Sequence, residues 1–476
     1  MAVSPTSGPT TTLSGSDTSR SLRPALARAQ RRAERGPRPA PSAFKAQVSP
    51  AQALKQATAF CVLLGTILFN FFLAMVNQSG FGISETHVIL AEIMLVAVAV
   101  LLVLDRRLGF YLVLATLLSY FVMLNLMKGF LDPKPIRDAL IPIVFFFLGT
   151  RLASLRVVDW VLGAALAIAL VFGLFEAFAV ADYIDLVNPL GYYVAKGSLE
   201  IVDLRDGNAV GLYYNGVRYA ERTLFQFLGS HRVSGIFLEP VSVGNFCAIA
   251  ASWFVIRHWG KPLVILPLMI PVIVLLGLAD ARFGMYTMLV TLAALPFARI
   301  IPPLSIAIIP VLVLVAQISV GIASEGLAWD NSFTGRLIWG GQLLTNMTPQ
   351  MVFGVDPNET FLHDTGYGYM FSNIGIIGAI ALWIALLILP ARGLRFARFK
   401  LFAALYVTLL LVVSSSLFSI KTGGLLWFIL GTLYALDRLE FGGERAPNPT
   451  FDMTGKRSLS LTRPVVRRAL IRQGSL

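Results

Sequence analysis

Apolar residues run in twelve blocks between residues 57 and 436, interrupted by short polar turns and by two long polar segments. The blocks fall near 57–76, 88–104, 108–127, 138–150, 157–180, 241–256, 262–279, 283–298, 303–321, 371–390, 401–418 and 422–437. A chain in lipid must satisfy its backbone polar groups internally, so each block predicts a transmembrane helix. The fold class expected is therefore an all-α polytopic membrane protein of about 12 spans. Several blocks fall short of the roughly 20 residues that cross a bilayer upright, notably Ile141 to Gly149, and must be broken or borrow loop residues.

Charge fixes an orientation for these spans. Arg106 and Arg107, Arg151 and Arg156, Arg257 and Lys261, Arg299, and the group Arg392, Arg395, Arg398 and Lys400 occupy alternate turns, which the positive-inside bias makes cytoplasmic. Both termini join that side. Residues 1–55 carry nine Lys or Arg against two acids and residues 437–476 carry eight against four, so the tails supply 11 of the net +13. Set among Ser, Thr, Pro and Ala, the basic residues of the first tail suit disorder and anionic headgroups better than nucleic acid, which is not an expected partner. Three parts follow: a basic cytoplasmic tail at 1–55, a transmembrane domain at 56–437, and a second basic tail at 438–476.

Only Cys61 and Cys247 occur, both inside predicted spans, which excludes a disulfide framework. His87, His231, His258 and His363 are too scattered for a zinc site, and no acidic run has metal-loop spacing. No metal and no cofactor are expected.

The two long polar segments, 181–240 and 322–370, lie on the face opposite the basic turns. The first has mixed charge and little apolar periodicity, and is expected to fold against the membrane face. The second holds a short amphipathic helix, Phe333 to Leu344, whose Leu337, Trp339, Leu343 and Leu344 are expected on the bilayer surface. Arginines on this outer face run against the positive-inside bias. Arg218, Arg222 and Arg232 end the first segment, Arg282 sits in a tight turn, and Arg336 opens the helix in the second. A guanidinium grips a phosphate through two parallel hydrogen bonds and keeps its charge at any relevant pH. The bland alternative for each is an ion pair with Glu221, Glu239, Asp280 or Asp330. Glu92 and Glu176, near outer span ends, suit structural pairing, whereas Lys128 suits a phosphate contact.

The run Ser230 to Pro240, which contains Arg232, Gly235, Phe237, Glu239 and Pro240 and enters a span with Gly244 and Asn245, resembles a signature of the O-antigen polymerase and O-antigen ligase superfamily. Ala281-Arg282-Phe283-Gly284 resembles its second arginine turn. Thr334 to Trp339, then Gly354, His363-Asp364 and Gly375 to Gly378, is similar to its long periplasmic loop and the span behind it. The resemblance implies a GT-C-like glycosyltransferase of the bacterial inner membrane, with two long periplasmic loops and a periplasmic active face. Such an enzyme moves a glycan from an undecaprenyl diphosphate carrier to the next lipid-linked repeat, as in exopolysaccharide or O-antigen assembly. The partners it implies are the undecaprenyl diphosphate-linked oligosaccharide, membrane lipids, a chain-length regulator and a flippase. It casts Arg232, Arg282 and Arg336, with Arg218, Arg222 and Lys128 as further cations, as diphosphate ligands. His363 is then the general base, with Asp364 and Glu239 as the other acid–base candidates; many relatives carry Asn where this chain has Asp364.

Two other readings stay open. An O-antigen ligase would use a lipid A core sugar as acceptor. A lipid-linked oligosaccharide flippase or other 12-span transporter would place the arginines in a central cavity rather than at span ends, and a major facilitator would have a long connection between spans six and seven where this chain has only Arg257 to Lys261.

Overall fold

A computed structural model describes residues 49–104, 108–198, 211–212, 216–217, 222–327, 333–356 and 365–441. Residues 1–48 and 442–476 of the basic tails, and Arg218, Glu221, Asp330, His363 and Asp364, lie outside the described residues.

Every regular element among the described residues is a helix. In chain order these are α1 (Pro50–Gln78), α2 (Glu85–Val103), α3 (Leu108–Lys128), α4 (Pro133–Leu152), α5 (Leu155–Phe178), α6 (Val180–Val187), α7 (Pro189–Ala195) and α8 (Pro240–Arg257). They continue with α9 (Pro262–Ala279), α10 (Arg282–Ala294), α11 (Pro303–Ala323), α12 (Phe333–Thr345), α13 (Pro349–Phe353), α14 (Gly366–Leu387), α15 (Leu394–Val413) and α16 (Ile420–Phe441). Short 3-10 turns at Gly235–Phe237 and Leu295–Arg299 precede α8 and follow α10.

Among the described residues nine helices are long and apolar enough to cross a membrane: α1, α2, α3, α5, α8, α9, α11, α14 and α15. The chain is thus a multi-pass, all-α membrane protein. Three of the twelve apolar blocks form helices that miss that standard, each for a visible reason. α10 has 13 residues before the chain tightens into a 3-10 turn at Pro296. α4 and α16 carry charges inside or at the ends of their apolar runs, including Arg137, Asp138, Lys421 and Asp437, and make the most extensive helix contact in the fold with each other. Glycines allow that contact: a Cβ on Gly149 would meet the Phe428 carbonyl, and one on Gly431 the Phe146 carbonyl. A helix buried by protein needs less apolar surface than one facing lipid.

Polar contacts between helix ends sort the bundle into two ends. One joins Asp159 to Arg257, Arg398 to Trp259, and Asp437 to the backbone N–H groups of Arg392 and Gly393. The other joins Glu92 to Arg137, Glu239 to Lys421, and Tyr369 to Asp138. The first holds the short basic turns and is called the basic end below; the second receives the ends of the two long polar segments.

The short helix α12 forms where the sequence placed it and is tied into the bundle. It packs along α11, where Gly321 and Gly341 come so close that neither has room for a Cβ, and Gly340 faces Gln317. Leu337, Trp339, Leu343 and Leu344 are all partly buried, and Leu343 reaches Gly368 of α14. The apolar stripe that suggested a bilayer-surface helix is thus partly covered by protein.

α14 is broken. Gly375 has φ 72 and ψ 159, a backbone conformation that disfavours a side chain, and the Phe353 carbonyl would lie 2.5 Å from a Cβ there. The interrupted ladder is repaired by one side chain: the Tyr120 hydroxyl donates to the Ile374 carbonyl at 2.6 Å and accepts from the Gly378 N–H at 3.2 Å.

Candidate functional site

The segment 231–240 is shaped around one buried carboxylate. Glu176, in the last turn of α5, accepts from the Ser234 N–H at 3.0 and 2.9 Å, from the Ser234 hydroxyl at 3.2 Å and from the Gly235 N–H, and pairs with His231 Nε2 at 3.1 Å. The Tyr183 hydroxyl donates to the Gly235 carbonyl at 2.7 Å. Gly235 and Leu238 both adopt positive φ, which turns the chain so that Glu239 becomes the N-cap of α8 with Pro240 as its first residue. Glu176 pairs structurally, as its place near a span end suggested. Burial and the nearby Glu176 carboxylate hold the Tyr183 phenol well above its ordinary pKa, so it acts as a donor.

Arg222 and Arg232 converge on the C-terminal end of α9. Arg222 donates to the carbonyls of Gly277 at 2.7 Å, Leu278 at 2.8 Å and Leu224 at 3.2 Å, and also to that of His231. Arg232 donates to the Ala279 carbonyl at 3.1 Å and the Asp280 carbonyl at 3.4 Å. Both are buried, and both satisfy carbonyls a helix end leaves open, where the helix dipole also favours a cation. Asp280 takes positive φ, accepts from the Thr223 N–H at 3.0 Å and lies 3.7 Å from Arg282 Nε. Arg282 keeps a side chain 35% exposed. The Phe283 ring stacks on Phe333 with centroids 6.2 Å apart, which brings the α12 start, and Arg336 one turn on, beside the Arg282 turn. Gly244 of α8 touches Gly284 of α10 where neither has room for a Cβ, so the Glu239 end of α8 lies against the same turn. Four of the expected phosphate ligands, Arg222, Arg232, Arg282 and Arg336, therefore sit around one corner. Lys128 lies at another helix end, 3.9 Å from Asp132.

A second cluster at the same end was not visible in the sequence. Glu239 accepts from the Tyr193 hydroxyl at 2.6 Å, the Ser242 hydroxyl at 2.8 Å and Lys421 Nζ at 2.9 Å. Arg137 bridges Glu92 and Asp138, both at 2.8 Å, and Asp138 also accepts from the Tyr369 hydroxyl. Lys196 stands between these groups, 5.7 Å above the Tyr193 ring, and Lys134 is 5.5 Å from the Tyr369 ring centre. Burial, and then repulsion from Lys421, lower the Lys196 pKa, while Glu239 and Glu92 oppose the shift. Burial would raise the Glu239 carboxyl, but the Lys421 ammonium and three hydrogen bonds outweigh it and hold the group at about 2. A carboxylate held that low is a weak base near neutrality. Arg137, Lys196 and Lys421 carried the same signal as the outer arginines, a cation placed against the positive-inside bias, but each stands at the edge of an apolar block or inside a polar loop.

Among the described residues no three His, Cys, Asp or Glu side chains converge as metal ligands. A cavity of about 1320 Å³, walled mainly by apolar side chains such as Phe146, Phe147 and Trp383, lies between α3, α4, α11, α14, α15 and α16. Arg151 and Arg438 line it; Arg232, Arg282 and Arg336 do not. Comparison of the chain with protein-family models, curated proteins and solved structures returns no match.

Proposed function

We propose that the chain is a GT-C-like polysaccharide polymerase of the bacterial inner membrane, with all twelve apolar blocks as spans and the Glu239 end periplasmic. In this reading it transfers a glycan from undecaprenyl diphosphate to the next lipid-linked repeat. The observation that carries the proposal is the gathering of three segments distant in sequence, 231–240, 281–284 and 333–339, at one corner of one end of the bundle. That grouping suits a reaction whose leaving group is a lipid diphosphate at the membrane surface. Fixed guanidiniums stabilise the charge that develops on the bridging oxygen as the anomeric C–O bond breaks. Arg282 and Arg336 are the best direct ligands, with Arg222 and Arg232 holding the turn that presents Arg282. His363 takes the proton from the attacking acceptor hydroxyl, and Asp364 orients it.

The arginines stand at helix ends and outside the apolar cavity, which favours transfer at a surface over passage through a central cationic channel. Deleting the gene in its own host tests the proposal. Lipid-linked single repeats should accumulate while polymer disappears; loss of lipid-linked repeats from the periplasmic face would instead point to a flippase, and intact polymer with unmodified lipid A core to a ligase. With purified lipid-linked repeat, His363→Gln should abolish transfer, because glutamine keeps a hydrogen bond but accepts no proton.

A further inference from the structure

The basic end holds a cation pair that neither the fold nor the proposed reaction uses. The 3-10 turn Leu295–Arg299 packs on α15, which brings Arg299 close enough to Arg398 for their charges to repel. Arg398 lies flat on Trp259, its guanidinium carbon 3.5 Å from the ring centroid, and its Nε is buried without a hydrogen-bond acceptor. Among the described residues neither Arg299 nor Arg398 forms an ion pair. The described acids on this end have other partners: Asp159 pairs with Arg257 at 3.3 Å and accepts from Trp253 Nε1 at 2.9 Å, Asp437 accepts from the Arg392 and Gly393 N–H groups, and Glu440 attracts Arg395. Two guanidiniums near enough to repel, neither in an ion pair among the described residues and one partly desolvated, leave a gap in charge that an anion would fill.

The surroundings say which anion. Phe297 and Ile300, on either side of Arg299, are 55% and 75% exposed, and Leu263, four residues after Trp259, is 86% exposed. Trp259 itself is partly exposed at the end of α8, where tryptophan marks the headgroup level. A soluble phosphate would have no use for this apolar rim, whereas acyl chains would cover it. We propose that Arg299, Arg398 and Trp259 form a headgroup site for an anionic phospholipid. Its phosphodiester oxygens lie between the two guanidiniums and its chains lie against Phe297, Ile300 and Leu263. The site is independent of the transfer reaction.

Native mass spectrometry of the full chain, titrated with phosphatidylglycerol or phosphatidylcholine in mild detergent, tests this. The wild type should retain phosphatidylglycerol preferentially, and R299Q and R398Q should each weaken that retention by about fivefold. R398K should also weaken it, because an ammonium keeps the charge but loses the planar stack on Trp259. R156Q, which removes one exposed charge from the same end, should leave it unchanged. Arg299 is exposed, so R299Q reports on the site even where R398Q lowers the yield of folded protein. Undiminished phosphatidylglycerol preference in R299Q and R398K, or displacement of the lipid by inorganic phosphate at equal concentration, would overturn the proposal.

Discussion

Arg232 and Arg282 have the same side chain in neighbouring places and do different work. Arg232 is buried against carbonyls at the end of α9, and a lysine there loses the fork that reaches two of them. Arg232→Lys should therefore lower the melting temperature in detergent as well as turnover. Arg282 is the more exposed, and Arg282→Lys should keep the melting temperature while lowering turnover on the order of 100-fold, measured with purified lipid-linked repeat. A melting temperature equally lowered in both would remove the distinction. Glu239 gives a pH prediction with a definite sign. Its pKa lies near 2 in the folded protein, below the ordinary carboxylate value of 4.5, so the stability it contributes is complete above about pH 4.5 and is lost as the pH falls towards 2. Lys421→Met removes the main charge that depresses this pKa, so the folded value moves back towards 4.5 and less stability remains to be lost in acid. Melting curves from about pH 7 down to about pH 3 would show a lower neutral plateau and a shallower acid limb than the wild type's.

At the scale of elements, close backbone contact through glycine recurs. α4 meets α16 at Gly149 and Gly431, α8 meets α10 at Gly244 and Gly284, and α11 meets α12 at Gly321 and Gly341. Gly431→Ala would set a methyl against the Phe146 carbonyl, a backbone atom that cannot rotate away, and should destabilise the bundle by about 1 to 3 kcal/mol. Unfolding of the purified protein in detergent measures this, and an unchanged midpoint would contradict the packing. The apolar blocks were legible in sequence because most of these helices face lipid and must be apolar to do so. α4 and α16 fell short in hydropathy because protein covers them, a property of their partners that no local pattern records. The packing of α12 on α11 was hidden for a related reason: its stripe reveals an apolar face but not what lies against it. Gly375 was visible as part of a motif, while the hydroxyl that makes its break tolerable belongs to Tyr120, far back in the chain.

At the scale of the molecule, alternation of basic turns predicted two ends, and the contacts between helix termini agree with that partition. Which end faces the cytoplasm is testable by cysteine labelling in a Cys61→Ala, Cys247→Ala background. A membrane-impermeant reagent should mark cysteines introduced at Arg205 and Thr345 in spheroplasts and leave those at Arg20 and Ser460 untouched. The charge cluster could not be foreseen at this scale, because Glu92 finds Arg137 and Glu239 finds Lys421 only after the chain has folded back across several spans. The break in α14 links the two scales. Residues 366–374 form a strut about 14 Å long, and a tilt of about 10° at Gly375 would swing its first turn by about 2 Å. That strut carries Tyr369, which holds Asp138 of the charge cluster, and also Tyr367, Met370 and Phe371, which wall the apolar cavity together with the remainder of the helix. Helix α14 is in this sense a jointed lever with Tyr120 as its latch: any shift of Tyr369 against Asp138 would carry the Tyr367 and Phe371 wall of the cavity with it.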